Sequence, residues 1–500
     1  MLLMGVDVGT TGAKAAVFTP EGELKGYGFR EYGVITERPG YAEQDARQVF
    51  AIAKEVIKEA AAQAGGAVAA LSLSVQGDAI IPVDADGRAL SRAQLGMDYR
   101  AKELLADVER KMEARALFQK TGMRPHPLNA FLKMLWLKER DPALYACTHT
   151  FTTYADYILK LLGSDGFVID RTMASRTMCM DLHTLQWSDT VLSAYGFDKA
   201  KLSRPVYSGE IVGVVSDALA AELGLRQGCK LVAGGHDQTC AALGAGIVKP
   251  DMALDSHGTA EVISTALNGV QVGDVMFEGY YPCYAHTVKD LYFTFALNHT
   301  GGIILKWFAE NFCHADGDAA EKAAHSIYTE ICSHMSLEPS PVMLIPHLNG
   351  SGTPTCELNA KGTLLGLTLN TTRYDIAKAV IEALSFEMRL NMDALRKTGI
   401  DVRSLRCVGG GARSEVTLQN KANCMGIPVA TLQTREAACL GAALLAGSAI
   451  GVYKDAAEAA QTVVQTARIF EPDTRRSALY TERYAEYRVF EAFSRGLYRS

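Results

Sequence analysis

A single acid, Asp237, stands in the stretch "LVAGGHDQTCAALGAG" among residues that are almost all small. Two readings fit it. Asp237 can cap the helix that starts there, or it can be an acid kept clear of bulk so that a large, negatively charged reactant reaches it. Two other segments carry the same ambiguity. In "DVGTTGAK" a glycine turn joins two strand-like runs. The N–H groups of Gly9, Thr10 and Thr11 and the threonine hydroxyls can surround phosphate oxygens. Asp7 can hold a hydrated Mg²⁺ and Lys14 adds a positive charge; an ordinary tight hairpin is the alternative. The turn fits neither G-x-G-x-x-G nor G-x-x-x-x-G-K-[ST] opening a helix, so a dinucleotide fold and a P-loop are excluded there. In "RCVGGGARSEVTLQNKANCMGIPVA" a strand runs into Gly409, Gly410 and Gly411, and a helix begins near Ser414. Glycines at a strand end admit a flat or charged ligand close to the backbone, and Ser414 serves equally as a helix cap. A phosphate hairpin, an acid at a helix start and a glycine cradle form one set. A two-domain phosphotransferase with a cleft between its domains needs these parts.

The elements that must position them are legible in outline. "MLLMGVDVG" and "AKAAVFT" read as a hairpin, "DARQVFAIAKEVIKEAAAQAG" as a helix with a glycine stop, and "VAALSLSVQG" as a buried strand ending in a polar turn. That order predicts a mixed sheet covered by helices. A Gly-Thr pair recurs between strand-like runs in "MALDSHGTAEVIST", at Gly258 and Thr259, and suggests a second domain from about residue 248. The last helix places Tyr480, Tyr484, Tyr487, Phe490, Phe493 and Leu497 at spacings of three and four, which predicts a core face. Five hundred residues exceed one ordinary core. With 48% hydrophobic and 21% charged residues the chain reads as soluble and globular. A net charge of -6 opposes a duplex nucleic acid partner. No apolar run is long enough for a membrane helix, and the N-terminus lacks the basic region of a signal peptide. The 11 scattered cysteines, without a C-x-x-C pair, read as free thiols in a reducing cytoplasm.

The ordered motifs make the resemblance specific. "GTLLGLTLNTTRYDIAKAVIEALSFE" carries Gly362, Leu364, Gly366, Leu367, Asp375, Ile376 and the run Ala379 to Glu382. "KMLWLKE" keeps Lys133, Trp136, Leu137 and Glu139. With "DVGTTGAK", "MASRTMCMDLHTLQW", "GGHDQTCAALGAG", "PHLNGSGTP", "VGGGARS" and "EAACLGAALLAG" in order, the chain resembles an FGGY-family carbohydrate kinase of the sugar kinase, Hsp70 and actin superfamily.

The resemblance implies an α/β fold of two actin-like (ribonuclease H-like) domains, residues 1–247 and 248–500. Each would be a mixed β-sheet flanked by helices, with a cleft between them. It implies ATP as phosphate donor with Mg²⁺, Asp7 serving the metal through water, and Gly9, Thr10, Thr11 and Lys14 forming the first phosphate loop. Gly258 and Thr259 match a further phosphate contact, and Gly410, Gly411, Ala412 and Ser414 the adenosine site. Asp237 matches the base that takes the proton of the attacking sugar hydroxyl, with the small residues around it giving phosphate and sugar room to approach. On the sugar side, Gln76, Asp78, Asp98, Arg100, Asp237 and Gln238 are the expected contacts. Here "Q-G-D-A" stands where pentulose-directed members read "Q-M-H-G", and "GMDYR" replaces "W-N-D-x-R". Asp78 and Asp98 as mere turn caps remain the alternative. The acceptor expected is a ketose or polyol of about five carbons, xylulose itself being put in doubt. A homodimer in the cytoplasm, without nucleic acid or membrane, is compatible with all of this. A catalytically silent sugar sensor is opposed by the presence of Asp237 and by the lack of a helix-turn-helix arm. An Hsp70-like or actin-like assembly ATPase is opposed by the carbohydrate-kinase signature.

Overall fold

The computed structural model describes residues 1–65, 68–313, 330, 333–336 and 338–498. The first sheet is built from β1 (Leu2–Val8), β2 (Gly12–Phe18), β3 (Leu24–Glu31), β4 (Val68–Val75), β5 (Ile211–Val214) and β6 (Lys230–His236), in the order β5-β6-β4-β1-β2-β3. The second is built from β7 (Met252–His257), β8 (Glu261–Leu267), β9 (Tyr284–Ala285), β10 (Tyr292–Asn298), β11 (Ser404–Gly409), β12 (Val429–Leu432) and β13 (Thr466–Phe470), in the order β9-β10-β8-β7-β11-β12-β13. Without the edge strands, both read third-second-first-fourth-fifth. In both, the first three strands are antiparallel and the fourth and fifth run parallel to the first. The paired Gly-Thr turns at 9–10 and 258–259 therefore mark one architecture used twice.

Local chemistry explains the elements. Every residue of β4, "VAALSLSV", is buried, as a central parallel strand covered on both faces must be. Helix α1 (Ala46–Gln63) is capped by the Asp45 carboxylate, which accepts from the Arg47 amide, and buries Val49, Ala53, Val56, Ile57 and Ala60. Every described cysteine is free, and no described helix is long and apolar enough to cross a membrane.

The two halves exchange helices. α2 (Arg171–Arg176) precedes the strand pair leading to β6, and α3 (Asp237–Gly244) follows β6 directly. The α3 side chain Ala242, with Ala245 and Ile247 just beyond, packs with Leu254, Tyr284 and Phe293 of the second sheet. α4 (Arg373–Arg396) and α5 (Glu415–Met425) serve the second half. α6 (Ala437–Ala449) instead packs Cys439, Leu440 and Ala443 with Leu3, Ala16 and Phe18 of the first sheet. Where α3 and α6 cross there is no room for a side chain. A Cβ on Gly244 would lie 1.8 Å from the Ala437 carbonyl oxygen, and one on Gly441 1.9 Å from that of Cys240. Gly5 of β1 meets the Cys439 oxygen as closely, at 1.7 Å.

The small residues around Asp237 thus have a different reason from the one the sequence suggested. A Cβ on Gly234 would strike the Leu73 oxygen at 1.6 Å, and one on Gly235 the Thr287 methyl at 2.7 Å. Bulk is absent because strand and helices touch, rather than to admit a reactant.

The final helix, α7 (Thr474–Gly496), also departs from expectation. Tyr480, Tyr484 and Tyr487 are buried, with Tyr487 and Phe386 ring centroids 5.1 Å apart. Beyond them the buried line runs through Glu491 and Ser494, while Phe490, Phe493 and Leu497 are exposed. The spacing four-three-four-three keeps one face; Phe490 and Phe493 each fall one residue, about 100°, off it.

The crossing yields a prediction. Gly441→Ala should force α3 and α6 apart and lower stability by roughly 1–3 kcal/mol or more. A urea midpoint and catalytic rate equal to the parent's would show that the crossing tolerates a methyl group.

Candidate active site

The sequence-derived residues lie at the carboxyl ends of the parallel strands, where open α/β sheets place their ligands. Asp7 is the penultimate residue of β1, Gln76 follows β4 and Asp237 follows β6. Gly258 and Thr259 follow β7, and Gly410 and Gly411 follow β11.

The first turn is held from behind. The Gly9 carbonyl accepts from the Tyr32 hydroxyl at 2.6 Å and from Gln76 Nε2 at 3.1 Å. The Thr10 carbonyl accepts from Gln44 Nε2 at 2.7 Å, and the Thr11 carbonyl from the Tyr32 amide at 3.0 Å. With its carbonyls, the Gly9 amide and the Thr10 hydroxyl proton committed within the protein, the turn can offer an anion the Thr10 and Thr11 amides and the Thr11 hydroxyl. Gln76 also accepts from the Thr10 hydroxyl at 3.1 Å, so it braces the turn. Lys14 is paired with Glu436, the residue before α6, at 3.2 Å, and both are half-exposed. Its charge is therefore partly spent. The second turn is held alike: the Gly258 and Thr259 carbonyls accept from the amides of Gly302 and Gly301 at 2.8 and 2.9 Å.

Asp237 is the first residue of α3, and His236 stands in the cap position before it. The helix-cap reading of Asp237 therefore gives way. Its Oδ1 accepts from the adjacent Gln238 amide at 2.6 Å and lies 3.0 Å from His236 Nε2. On the far side of that ring the Tyr284 hydroxyl is 3.2 Å from Nδ1. If Tyr284 donates to Nδ1, the ring keeps its proton on Nε2 and donates it to Asp237. Burial pushes the Asp237 carboxyl up, but His236, the Gln238 amide and Arg176 outweigh it and hold the group below its usual value. Asp7 goes the other way. Burial and the nearby charge of Asp237 raise it to about 6, against the hydrogen bond it accepts from the Ser74 hydroxyl at 2.7 Å.

Asp78 pairs with Arg176 at the end of α2, both buried. Gly77 makes that possible, since a Cβ there would lie 2.8 Å from His236 Nε2 and 2.9 Å from Arg176 Nε. Asp98 and Arg100 are engaged with other protein groups. Asp98 is fully buried and spends its oxygens on the Ala42 amide at 2.8 Å and on Arg100 Nε and Nη2 at 2.8 and 2.7 Å. Arg100 lies 3.8 Å from the Tyr41 ring centroid and lines a separate hollow of about 310 Å³ with Glu43, Arg92 and Trp136. The turn-organising alternative fits Asp98 better than a sugar contact does.

The glycine cradle is likewise shaped by protein. A Cβ on Gly409 would meet the His257 oxygen at 2.6 Å, and one on Gly411 the His257 ring at 2.3 Å; Gly410 alone is open. Ser414 caps α5, its Oγ accepting from the Thr417 amide at 3.3 Å. Behind the cradle, Lys421 of α5 bonds both Asp255 of β7 and Glu261 of β8. All three are buried. Burial alone would raise both acids; Lys421 and His257 hold Asp255 low, while Glu261 stays raised. This triad ties the second phosphate turn to the helix that follows the cradle.

Sequence reasoning missed Ser74, Arg176, His236, Tyr284 and Lys421. Arg176 and His236 lay inside motifs already singled out, and a histidine next to the candidate acid was an available signal. The Lys421 triad had none, because its members are 160 and 166 residues apart in pairing.

Comparison with known proteins settles the family. The profile for the N-terminal domain of the FGGY family of carbohydrate kinases matches residues 2–244, and that for the C-terminal domain matches residues 268–450. The chain belongs to the FGGY family. This FGGY protein is accordingly a phosphotransferase that acts on an alcohol group of a carbohydrate. It is 26% identical to a xylulose kinase of Staphylococcus epidermidis over 492 residues, covering 97% of this chain and 95% of that one. It is 29% identical to a glycerol kinase of Bordetella parapertussis over 485 residues, covering 94% and 92%. A crystal structure of a gluconate kinase from Lactobacillus acidophilus superimposes with a TM-score of 0.90 at 24% identity, covering 99% of each chain, and shows the same fold.

Lys421→Met should strand two buried carboxylates and lower stability by about 3–5 kcal/mol. A urea midpoint within error of the parent's would show that Asp255 and Glu261 need no cation.

Proposed function

We propose that this FGGY kinase transfers the γ-phosphate of ATP to a hydroxyl of a small sugar or polyol, with a ketopentose as the first candidate. The sequence-wide similarity to a xylulose kinase supports the ketopentose. The observation that carries the chemistry is the Asp237 carboxylate, held 3.0 Å from His236 and close enough to Asp7 to raise it, at the ends of two parallel strands that flank β4.

In this reading Asp237 accepts the proton of the attacking hydroxyl late in the transfer, since phosphoryl transfer leaves little covalent work to the protein. His236 fixes the direction of the carboxylate, and the depressed pKa of Asp237 keeps that carboxylate ionised through the neutral range. The turns at 9–11 and 258–259 receive the phosphates on their amides, and the cradle at 410–414 receives the adenosine. Residues 1–247 and 248–500 would be the two domains, with α3 and α6 exchanged between them. Asp7 fits a Mg²⁺ ion: it is a buried carboxylate that stays raised to about 6 beside a second acid even with Lys14 nearby. Mg²⁺ commonly takes one or two carboxylates and keeps several waters. When bound it would neutralise charge on the phosphates.

Asp237→Asn should lower kcat by about 10²–10⁴-fold, while ATP and sugar bind with near-native affinity. ADP release with ATP and Mg²⁺ against a panel of ketoses, polyols and sugar acids checks the parent and the variant. Near-normal turnover by the variant would remove Asp237 from the mechanism. No sugar raising the parent's rate above the ATP-only background would sink the kinase proposal.

A further inference from the structure

The acceptor end of the site holds polar atoms with nothing to bond. Asp78 Oδ2 takes Arg176 Nη2, yet Asp78 Oδ1 and Arg176 Nε and Nη1 are buried and unpartnered, as is Gln238 Oε1 next to Asp237. Buried donors and acceptors are normally satisfied, so these atoms ask for a ligand or ordered water. They are near the reacting acid, because the site of a Cβ on Gly77 touches both Arg176 Nε and His236 Nε2, and His236 bonds Asp237. The guanidinium also lies 5.2 Å from the Tyr284 ring centroid.

The chemistry wanted follows from the inventory. Arg176 offers N–H donors, while Asp78 Oδ1 and Gln238 Oε1 are acceptors. A hydroxyl, which donates and accepts, satisfies both kinds of atom at once. A carboxylate satisfies only Arg176 and is repelled by Asp78. The pair is also internally neutral, so it gives no net attraction to an anion, whereas an unopposed buried arginine would be a strong carboxylate site. We infer that the Asp78–Arg176 pair, seated by Gly77, reads neighbouring hydroxyls of the acceptor and excludes sugar acids, so that the substrate is an uncharged ketose or alditol. This rests on the kinase reading above and narrows it; similarity to xylulose, glycerol and gluconate kinases leaves the choice between neutral and acidic acceptors open.

Asp78 has a left-handed backbone (φ 64°), which asparagine adopts readily, so Asp78→Asn preserves the turn while exposing the charge of Arg176. The test measures kcat/KM of parent and variant for D-xylulose, xylitol and D-gluconate, with the KM for ATP as control. The parent should favour a neutral acceptor. In the variant the neutral acceptor should lose ~10–10²-fold, the gluconate-to-neutral ratio should rise by at least ~10-fold, and the KM for ATP should stay put. A double variant, Asp78→Asn with Arg176→Gln, removes both charges and guards against misfolding of the single one. It should lose the neutral acceptor without gaining gluconate. A parent that prefers gluconate, or an unmoved ratio in a folded Asp78→Asn protein, overturns the inference and leaves the kinase intact. Silence of the parent towards all three acceptors and the wider panel would overturn both.

Discussion

The rest of the molecule depends on two helices crossing without side chains between them. At Gly244 and Gly441 the backbones of α3 and α6 are closer than any Cβ would allow, and Gly5 brings β1 against α6 in the same way. Because α3 begins with Asp237 and α6 is preceded by Glu436, which pairs with Lys14, the crossing sets the distance between the acid and the first phosphate turn. Small residues here do what they do in any tightly packed helix pair: each added methyl group would be felt as overlap, because an interior has no slack to absorb it.

Charge is distributed around the site with similar economy. Among the described residues, Lys14 is paired with Glu436, Arg176 with Asp78, and Lys421 with Asp255 and Glu261. The apparatus thus resembles a set of neutral, oriented dipoles more than a positive well. In the proposed reaction such a surface would bind a highly charged donor through fixed amides and an added metal ion, without attracting anions indiscriminately. Asp7 stays raised despite the Ser74 hydroxyl and Lys14, with a second acid nearby, which is why an external cation is proposed for it.

Sequence and structure agree most closely where chemistry is local. The hairpin around Gly9, the buried strand ending at Val75, the helix after Asp45 and the cap at Ser414 follow from turn, pattern and capping rules acting over a few residues. The dipeptide repeat pointed to a second copy of the fold because strand-turn-strand units are local too. Most of the misreadings are of long range. Gly234 and Gly409 looked like openings for a ligand, but what fills the space beside them, Leu73 and His257, lies far away in the chain. Asp98 looked like a sugar contact, yet it serves the Ala42 amide and Arg100. Phe490 and Phe493 matched a helical period loosely, and only the true buried line through Glu491 and Ser494 shows that they sit off the face.

The exchange of α3 and α6 has a consequence for the order of events at the ribosome. The first sheet is complete once His236 has been made, but the surface formed by Leu3, Ala16 and Phe18 is covered by Cys439, Leu440 and Ala443. About two hundred residues must still be synthesised before that cover exists, a delay of roughly 10–40 s at ordinary elongation rates. During that interval the nascent chain has only Cys240, Leu243 and Val248, in and just beyond α3, to place against that apolar face. Birth of this protein is therefore a period of partial exposure, which ends when α6 is translated.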